Sequence, residues 1–107
     1  MPLVAIIILG LLAAGPVSAK VVTEELVYSH DHTTLKGYLA YDDALPERRP
    51  GVMVVHEWWG LNDFARQQTV KLAEGGFVAL AVDMYGDGKV TRDPEEARRL
   101  AAHVRST

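Results

Sequence analysis

Two short polar segments carry the side chains of this sequence that could do chemistry. The first is HEWWG, residues 56–60, and the second is DMYG, residues 83–86. Each follows a continuous apolar run, VMVV before the first segment and FVALAV before the second. Such runs are typical of strands covered on both faces, and open α/β sheets bind ligands beyond the carboxyl ends of their strands. The sequence therefore predicts that both segments lie at one ligand-binding edge.

The spacing of these and other residues excludes several familiar sites. A zinc protease needs H-E-x-x-H on a helix, and Gly60 occupies the position of the second histidine. Gly86 and Gly88 lack the third glycine of a dinucleotide fingerprint, and no P-loop occurs. The two histidines of HDH, residues 30–32, are not accompanied by a third candidate metal ligand, so we interpret this segment as a turn. We expect neither a metal nor an organic cofactor.

The composition is that of part of one globular domain. The sequence has 107 residues, of which 49% are hydrophobic, and a net charge of −3, which does not suit a nucleic-acid binder. It contains no cysteine, which excludes a disulfide, a thiolate metal site and a cysteine nucleophile within these residues. Enzymes built on large parallel sheets usually need about 200 residues or more. We therefore interpret the sequence as a piece of something longer.

The N-terminal segment is predicted to be a secretory signal peptide, residues 1–19. Residues 3–14 carry no charge and would span roughly 18 Å as a helix, against about 30 Å for the hydrocarbon core of a membrane. Glycine and proline at 15–16 break that helix, and small residues follow at 17–19. We expect a cleaved, secreted or periplasmic protein with no stable membrane span, consisting of residues 20–107. A buried core strand or an uncleaved anchor is the alternative, because no lysine or arginine precedes the apolar run.

The next part of the sequence predicts a β-hairpin. Two stretches, VVTEELVYS and TLKGYLAY, are rich in β-branched and aromatic residues, and apolar and polar side chains alternate in the second. We place the turn near Asp31. The polar, proline-bearing stretch of residues 42–50 is predicted to be an exposed connection.

A parallel βαβ unit and the start of a further helix are predicted to follow the hairpin. The apolar runs at 52–55 and 77–82 are its strands. A helix between them is capped by Asn62 or Asp63 and ends at two glycines, residues 75–76. The further helix follows Asp93, which caps it, and has a proline at its first position. The predicted fold class is α/β.

The segment HEWWGLND, placed between GVMVV and VALAVDMYGDG, resembles the dienelactone hydrolase family of α/β hydrolases. The resemblance covers most of residues 22–107. It implies a partial α/β-hydrolase fold, here its N-terminal portion, and a small-molecule ester or lactone substrate. It also implies a Cys-Asp-His triad that acts through an acyl-enzyme. No member of that triad is found in this sequence, so the nucleophile is expected beyond Thr107.

The resemblance assigns catalytic roles to Glu57 and Trp58. The backbone N–H of Trp58 matches a donor of the oxyanion hole, the group that stabilises negative charge on the substrate oxygen. Glu57 matches a glutamate that interacts with the resting thiol. We expect its carboxyl to be partly withdrawn from water beside two indoles, which suits proton exchange with a nucleophile near neutral pH. The alternative is a glutamate that only holds the turn.

His56, Trp59 and Tyr85 are predicted to bind substrate. The triad histidine of the family comes from a late loop, so His56 is expected to be a pocket wall or a structural residue rather than the base. Trp58 and Trp59 supply apolar surface for an acyl pocket, and the alternative is that one of the two packs against the first helix. Tyr85 points its hydroxyl into the cleft or packs. Asp83 is expected to bond loop backbone. Asp87 replaces an arginine found in family members that act on carboxylated lactones, and its charge would repel such substrates.

The alternative function is a short exported non-catalytic module for binding or interaction. It would keep only the hairpin and the βαβ unit. The physics of folding disfavours it, because the parallel strands would leave unpaired edges and uncovered apolar faces.

Overall fold

The computed structural model describes residues 20–44 and 48–106. The predicted signal peptide lies outside the described residues, so its cleavage and the export of the protein stay predictions. Within these two ranges, no helix has the length and apolar character needed to cross a membrane.

Four strands form one mixed sheet, and two helices accompany it. The elements are β1 (Val21–His30), β2 (Thr33–Asp42), β3 (Gly51–Val55), α1 (Asp63–Glu74), β4 (Val78–Val82) and α2 (Pro94–Ser106). The strand order across the sheet is β1-β2-β4-β3. Strand β2 runs antiparallel to both β1 and β4, whereas β3 and β4 are parallel. The α/β fold class is confirmed.

The predicted hairpin is confirmed, with its turn at Asp31 and His32. Both residues have left-handed backbone, with φ of 46° and 65°. Positive φ at both central residues defines the two-residue turn that best matches the twist of paired strands. The hairpin keeps its register from Val21 opposite Asp42 to His30 opposite Thr33.

The βαβ unit is also confirmed, with Val52 of β3 beside Ala79 of β4. Between the two acceptors that the sequence allowed, Asn62 is the cap of α1, and its side chain accepts from the Ala65 N–H at 3.1 Å. Helix α1 covers one face of the sheet with small side chains. The core on that face consists of Leu61, Ala65 and Ala81, with Tyr38 and Val54 packed against it.

The face of β3 opposite α1 is not covered by the part of the chain that the structure describes, although the sequence predicted a strand covered on both faces. Met53 and Val55 are 69% and 62% exposed, so the apolar run of this strand is not covered on both faces by the described residues. The reason is topological. Strand β3 lies at the edge of the sheet, and α1 packs on the face that carries Val54.

Helix α2 begins as the sequence predicted. The Asp93 carboxylate accepts from the Glu95 N–H at 3.1 Å, and Pro94 occupies the first helical position. Ala97 is fully buried. The last turns of α2 reach the loop that follows β3, where Ala101 and Val104 line a cavity together with Trp58.

Candidate active site

The loops that follow β3 and β4 meet at one edge of the sheet, as predicted. His56 joins them, because its Nε2 accepts from the Met84 N–H at 3.0 Å. A short antiparallel contact also links Gly60 with Val90, and the Thr91 N–H donates to the Trp59 carbonyl at 3.0 Å.

Asp83 holds the loop after β4 in place. Its buried carboxylate accepts from the backbone N–H groups of Gly86 at 3.0 Å, Gly88 at 2.8 Å and Lys36 at 3.0 Å. Lys36 belongs to β2, so one side chain ties the loop to the neighbouring strand. The prediction that Asp83 bonds loop backbone is confirmed.

Four of the candidate residues share one cavity of about 350 Å³. They are His56, Glu57, Trp58 and Tyr85. The other walls come from the end of β3, from Met84 and from the last turns of α2, including Arg105. These walls are mostly apolar. No sequence pattern points to Arg105, because its position depends on how α2 returns toward the loops.

The backbone N–H of Trp58 is the predicted oxyanion donor. Across residues 20–44 and 48–106, its N–H has no hydrogen-bond acceptor. The preceding carbonyl, that of Glu57, accepts from the His56 Nδ1–H at 2.8 Å and from the Gly60 N–H at 3.3 Å. A backbone donor that is free and held in place is what an oxyanion hole requires.

The Glu57 side chain lies beside this amide but is exposed to solvent. The expectation that the two indoles withdraw its carboxyl from water is therefore wrong within the described residues. Trp58 is itself 39% exposed, and Trp59 lines a different cavity. The catalytic role of Glu57 stays a prediction.

The Tyr85 hydroxyl contacts the loop after β3. It donates to the Trp58 carbonyl at 2.8 Å, and the tyrosine ring meets His56 edge-on with centroids 4.8 Å apart. Burial raises the pKa of Tyr85 above its ordinary value, and the nearby Arg105 charge offsets part of that shift. The hydroxyl therefore keeps its proton, and with it this hydrogen bond, throughout the neutral pH range.

Trp59 and Asp87 lie in two other cavities. Trp59 lines a groove of about 670 Å³ together with Phe64, at the start of α1. Asp87 lines a cavity of about 270 Å³ that also contains Lys36, and its N–H donates to the Thr34 carbonyl at 2.8 Å. The structure thus brings neither residue to the cavity of Glu57 and Trp58, and the substrate contact predicted for Trp59 stays a prediction.

The HDH segment forms the exposed turn described above. His30 and Asp31 contact each other at 3.4 Å with both side chains in solvent. No group of three or more metal-ligating side chains is found among residues 20–44 and 48–106.

Comparison with known proteins identifies the family. The sequence model of the dienelactone hydrolase family matches residues 35–107. The chain belongs to the dienelactone hydrolase family. The four strands and two helices of the described residues are therefore a partial α/β-hydrolase fold, as the sequence predicted.

Three similar proteins show how much of each relative's length this chain spans. It is 43% identical over 58 residues to "Putative carboxymethylenebutenolidase" of Aquifex aeolicus, and the match covers 51% of this chain and 25% of that protein. It is 30% identical over 91 residues to "Putative hydrolase fragment YghX" of Escherichia coli, covering 82% and 78% of the two chains. The solved structure titled "m3DLH" superposes with a TM-score of 0.75 at 36% identity, covering 80% of this chain and 36% of that one. This chain thus spans about a quarter of the carboxymethylenebutenolidase relative.

Proposed function

We propose that this chain is the N-terminal part of an exported hydrolase that cleaves ester or lactone bonds in small molecules. The observation that carries the proposal is the Trp58 amide, which has no acceptor among the described residues and belongs to a held peptide group. Trp58 and Glu57 line the same open cavity. Family membership supports the hydrolase chemistry. The nucleophile, a cysteine of a Cys-Asp-His triad, would lie beyond residue 107.

In the proposed reaction the cysteine thiolate attacks the carbonyl carbon of the substrate. The electron pair of the C=O bond moves to the oxygen, and the Trp58 N–H donates a hydrogen bond to that oxyanion. Collapse of this intermediate re-forms the carbonyl and breaks the bond to the leaving oxygen, which takes a proton from the triad histidine. Water then hydrolyses the thioester, which releases the acid and restores the thiol.

The walls of the cavity favour an apolar acyl group. Val55, Met84 and Val104 contribute aliphatic or thioether surface beside Trp58. Because these walls are mostly apolar, an uncharged ester is the better first substrate. An aryl ester also reports its own hydrolysis through the colour of the released phenol.

The first prediction tests the proposal itself. The reading frame extended past residue 107 should encode G-x-C-x-G, then an aspartate, then a histidine. The purified full-length product should hydrolyse an aryl ester, and replacing that cysteine with alanine should abolish the activity. Failure of the intact protein to cleave any simple ester would contradict the proposed function.

The second prediction concerns Glu57. Changing Glu57→Gln removes a group that can exchange a proton with the nucleophile, so kcat/KM should fall by about 10- to 100-fold and its pH profile should change. The measurement is the rate of aryl ester hydrolysis across the pH range. Glu74→Gln, at the exposed end of α1, is the matched control and should leave the profile unchanged. If both variants behave like the parent, Glu57 has no part in the mechanism.

The second candidate function is a short exported module without catalysis. Such a module would use the exposed apolar side chains of Met53 and Val55 to bind a partner, which would then cover the open face of β3. It requires a stop codon directly after residue 107 and a product that stays monomeric in solution. A downstream triad, or aggregation of the 107-residue product, would exclude it.

A further inference from the structure

His56, the residue that follows β3, makes a hydrogen bond with each of its two ring nitrogens. The side chain is buried, and its Nε2 accepts from the Met84 N–H at 3.0 Å. Because an amide N–H can only donate, Nε2 carries no proton, and Nδ1 must carry the one that it donates to the Glu57 carbonyl at 2.8 Å. Both ring nitrogens of a neutral imidazole are thus used. His56 has no free nitrogen with which to act as a base.

The Glu57 carbonyl that His56 holds belongs to the same peptide group as the Trp58 N–H. A peptide group is planar and trans, so its N–H points opposite to its C=O. The Glu57 oxygen is directed at His56 and at the Gly60 N–H, and the Trp58 N–H therefore points away from both. The next carbonyl, that of Trp58, is held by the Tyr85 hydroxyl at 2.8 Å.

We infer that His56, assisted by the Tyr85 hydroxyl, is a positioning residue that aims the Trp58 amide at the substrate oxyanion. The inference rests on the proposed function, and it names the residues that orient the oxyanion donor, the Trp58 N–H. The orientation of the Trp58 amide thus depends on the loop after β4. The Met84 N–H holds the imidazole in place, and the imidazole in turn holds the peptide group between Glu57 and Trp58. An oxyanion donor acts only when it is held in place before the reaction, and a shift of about 1 Å can cost about 100-fold in rate.

The kinetic test compares three variants of the full-length protein in aryl ester hydrolysis. His56→Leu removes both hydrogen bonds and should lower kcat by about 10- to 100-fold with KM within about threefold of the parent, because the lost interaction belongs to the transition state. His56→Gln offers one amide donor and one acceptor, so it should recover most of kcat. Thr69→Val is the matched control. It removes a buried hydrogen bond to the Ala65 carbonyl inside α1, and it should leave kcat unchanged.

A second variant keeps the inference testable if His56→Leu does not fold. Tyr85→Phe keeps the ring that packs on His56 and removes only the hydroxyl bond to the Trp58 carbonyl. It should lower kcat by about 3- to 10-fold with little change in KM. A rise in KM at constant kcat, in either variant, would overturn the inference and would point to ordinary substrate contacts instead.

Crystal structures of the variants test the inference without a measurement of activity. In a crystal structure of the full-length His56→Gln protein, the peptide group between Glu57 and Trp58 should keep its orientation, and in His56→Leu or Tyr85→Phe it should rotate or lose order. An unchanged peptide in both of the latter variants would overturn the inference. Absence of esterase activity in the parent protein would instead overturn the proposed function, so the two failures are distinguishable.

Discussion

Changing Asp83→Ala should lower the free energy of unfolding by about 3–5 kcal/mol. The carboxylate is 2% exposed and accepts three hydrogen bonds, from the N–H groups of Gly86, Gly88 and Lys36. Each buried donor left without an acceptor costs about 1–3 kcal/mol. The loss is large because all three donors depend on one side chain.

Urea unfolding of the full-length protein measures this loss, and Asp42→Ala is the matched control. Asp42 is almost as buried, at 3% exposed, but within the described ranges its side chain accepts from only the Ala44 N–H, at 2.9 Å. Its replacement should cost about 1 kcal/mol. Equal losses in the two variants would show that the cost comes from burial of an aspartate rather than from the three hydrogen bonds.

The elements of this fold were predictable because their signals are local. Asn62 and Asp93 cap helices through contacts with residues two or three positions away, and both helices begin where these residues indicate. The turn at Asp31 needs positive φ at two adjacent residues, and apolar and polar side chains alternate in the strand that follows it. The parallel pairing of β3 with β4 follows from the helix between them. The two caps and the turn are each determined by a stretch of fewer than about 15 residues.

The exposure of β3 was not predictable, because an apolar run looks the same whether one or both faces are covered. Met53 and Val55 were expected to be buried, and which face is open depends on where α1 packs. That arrangement is set by contacts between distant parts of the chain.

The site was predictable in its location but not in its hydrogen bonds. The apolar runs placed HEWWG and DMYG at one edge of the sheet, and the family resemblance singled out Glu57 and Trp58. The link between His56 and Met84 joins residues 28 positions apart, and the link between Tyr85 and Trp58 joins residues 27 apart. Neither pairing follows a sequence period. A hydrogen-bonded contact between two loops becomes visible only when the sheet brings the loops together.

Changing Gly60→Ala should be at least as damaging as the loss of Asp83, because it adds a steric clash to backbone strain. Gly60 has φ of +93°, where an L-residue with a Cβ costs about 1–2 kcal/mol. A Cβ built there would lie 2.3 Å from the Lys89 carbonyl oxygen, which is backbone and cannot turn aside. The contact between Gly60 and Val90 would have to open. We expect a loss of stability of more than about 3 kcal/mol.

The same substitution should also lower catalysis, because the Gly60 N–H donates to the Glu57 carbonyl that orients the Trp58 amide. Gly88→Ala separates strain from clash, since Gly88 has φ of +66° but a Cβ there would meet only the flexible Lys36 side chain, at 3.4 Å. That control should cost about 1 kcal/mol and leave kcat nearly unchanged, whereas Gly60→Ala should lower kcat by about 100-fold. Unfolding and ester hydrolysis measured on both variants decide the matter. If the two glycines prove equally replaceable, close packing between the loops after β3 and β4 is not what shapes the oxyanion site.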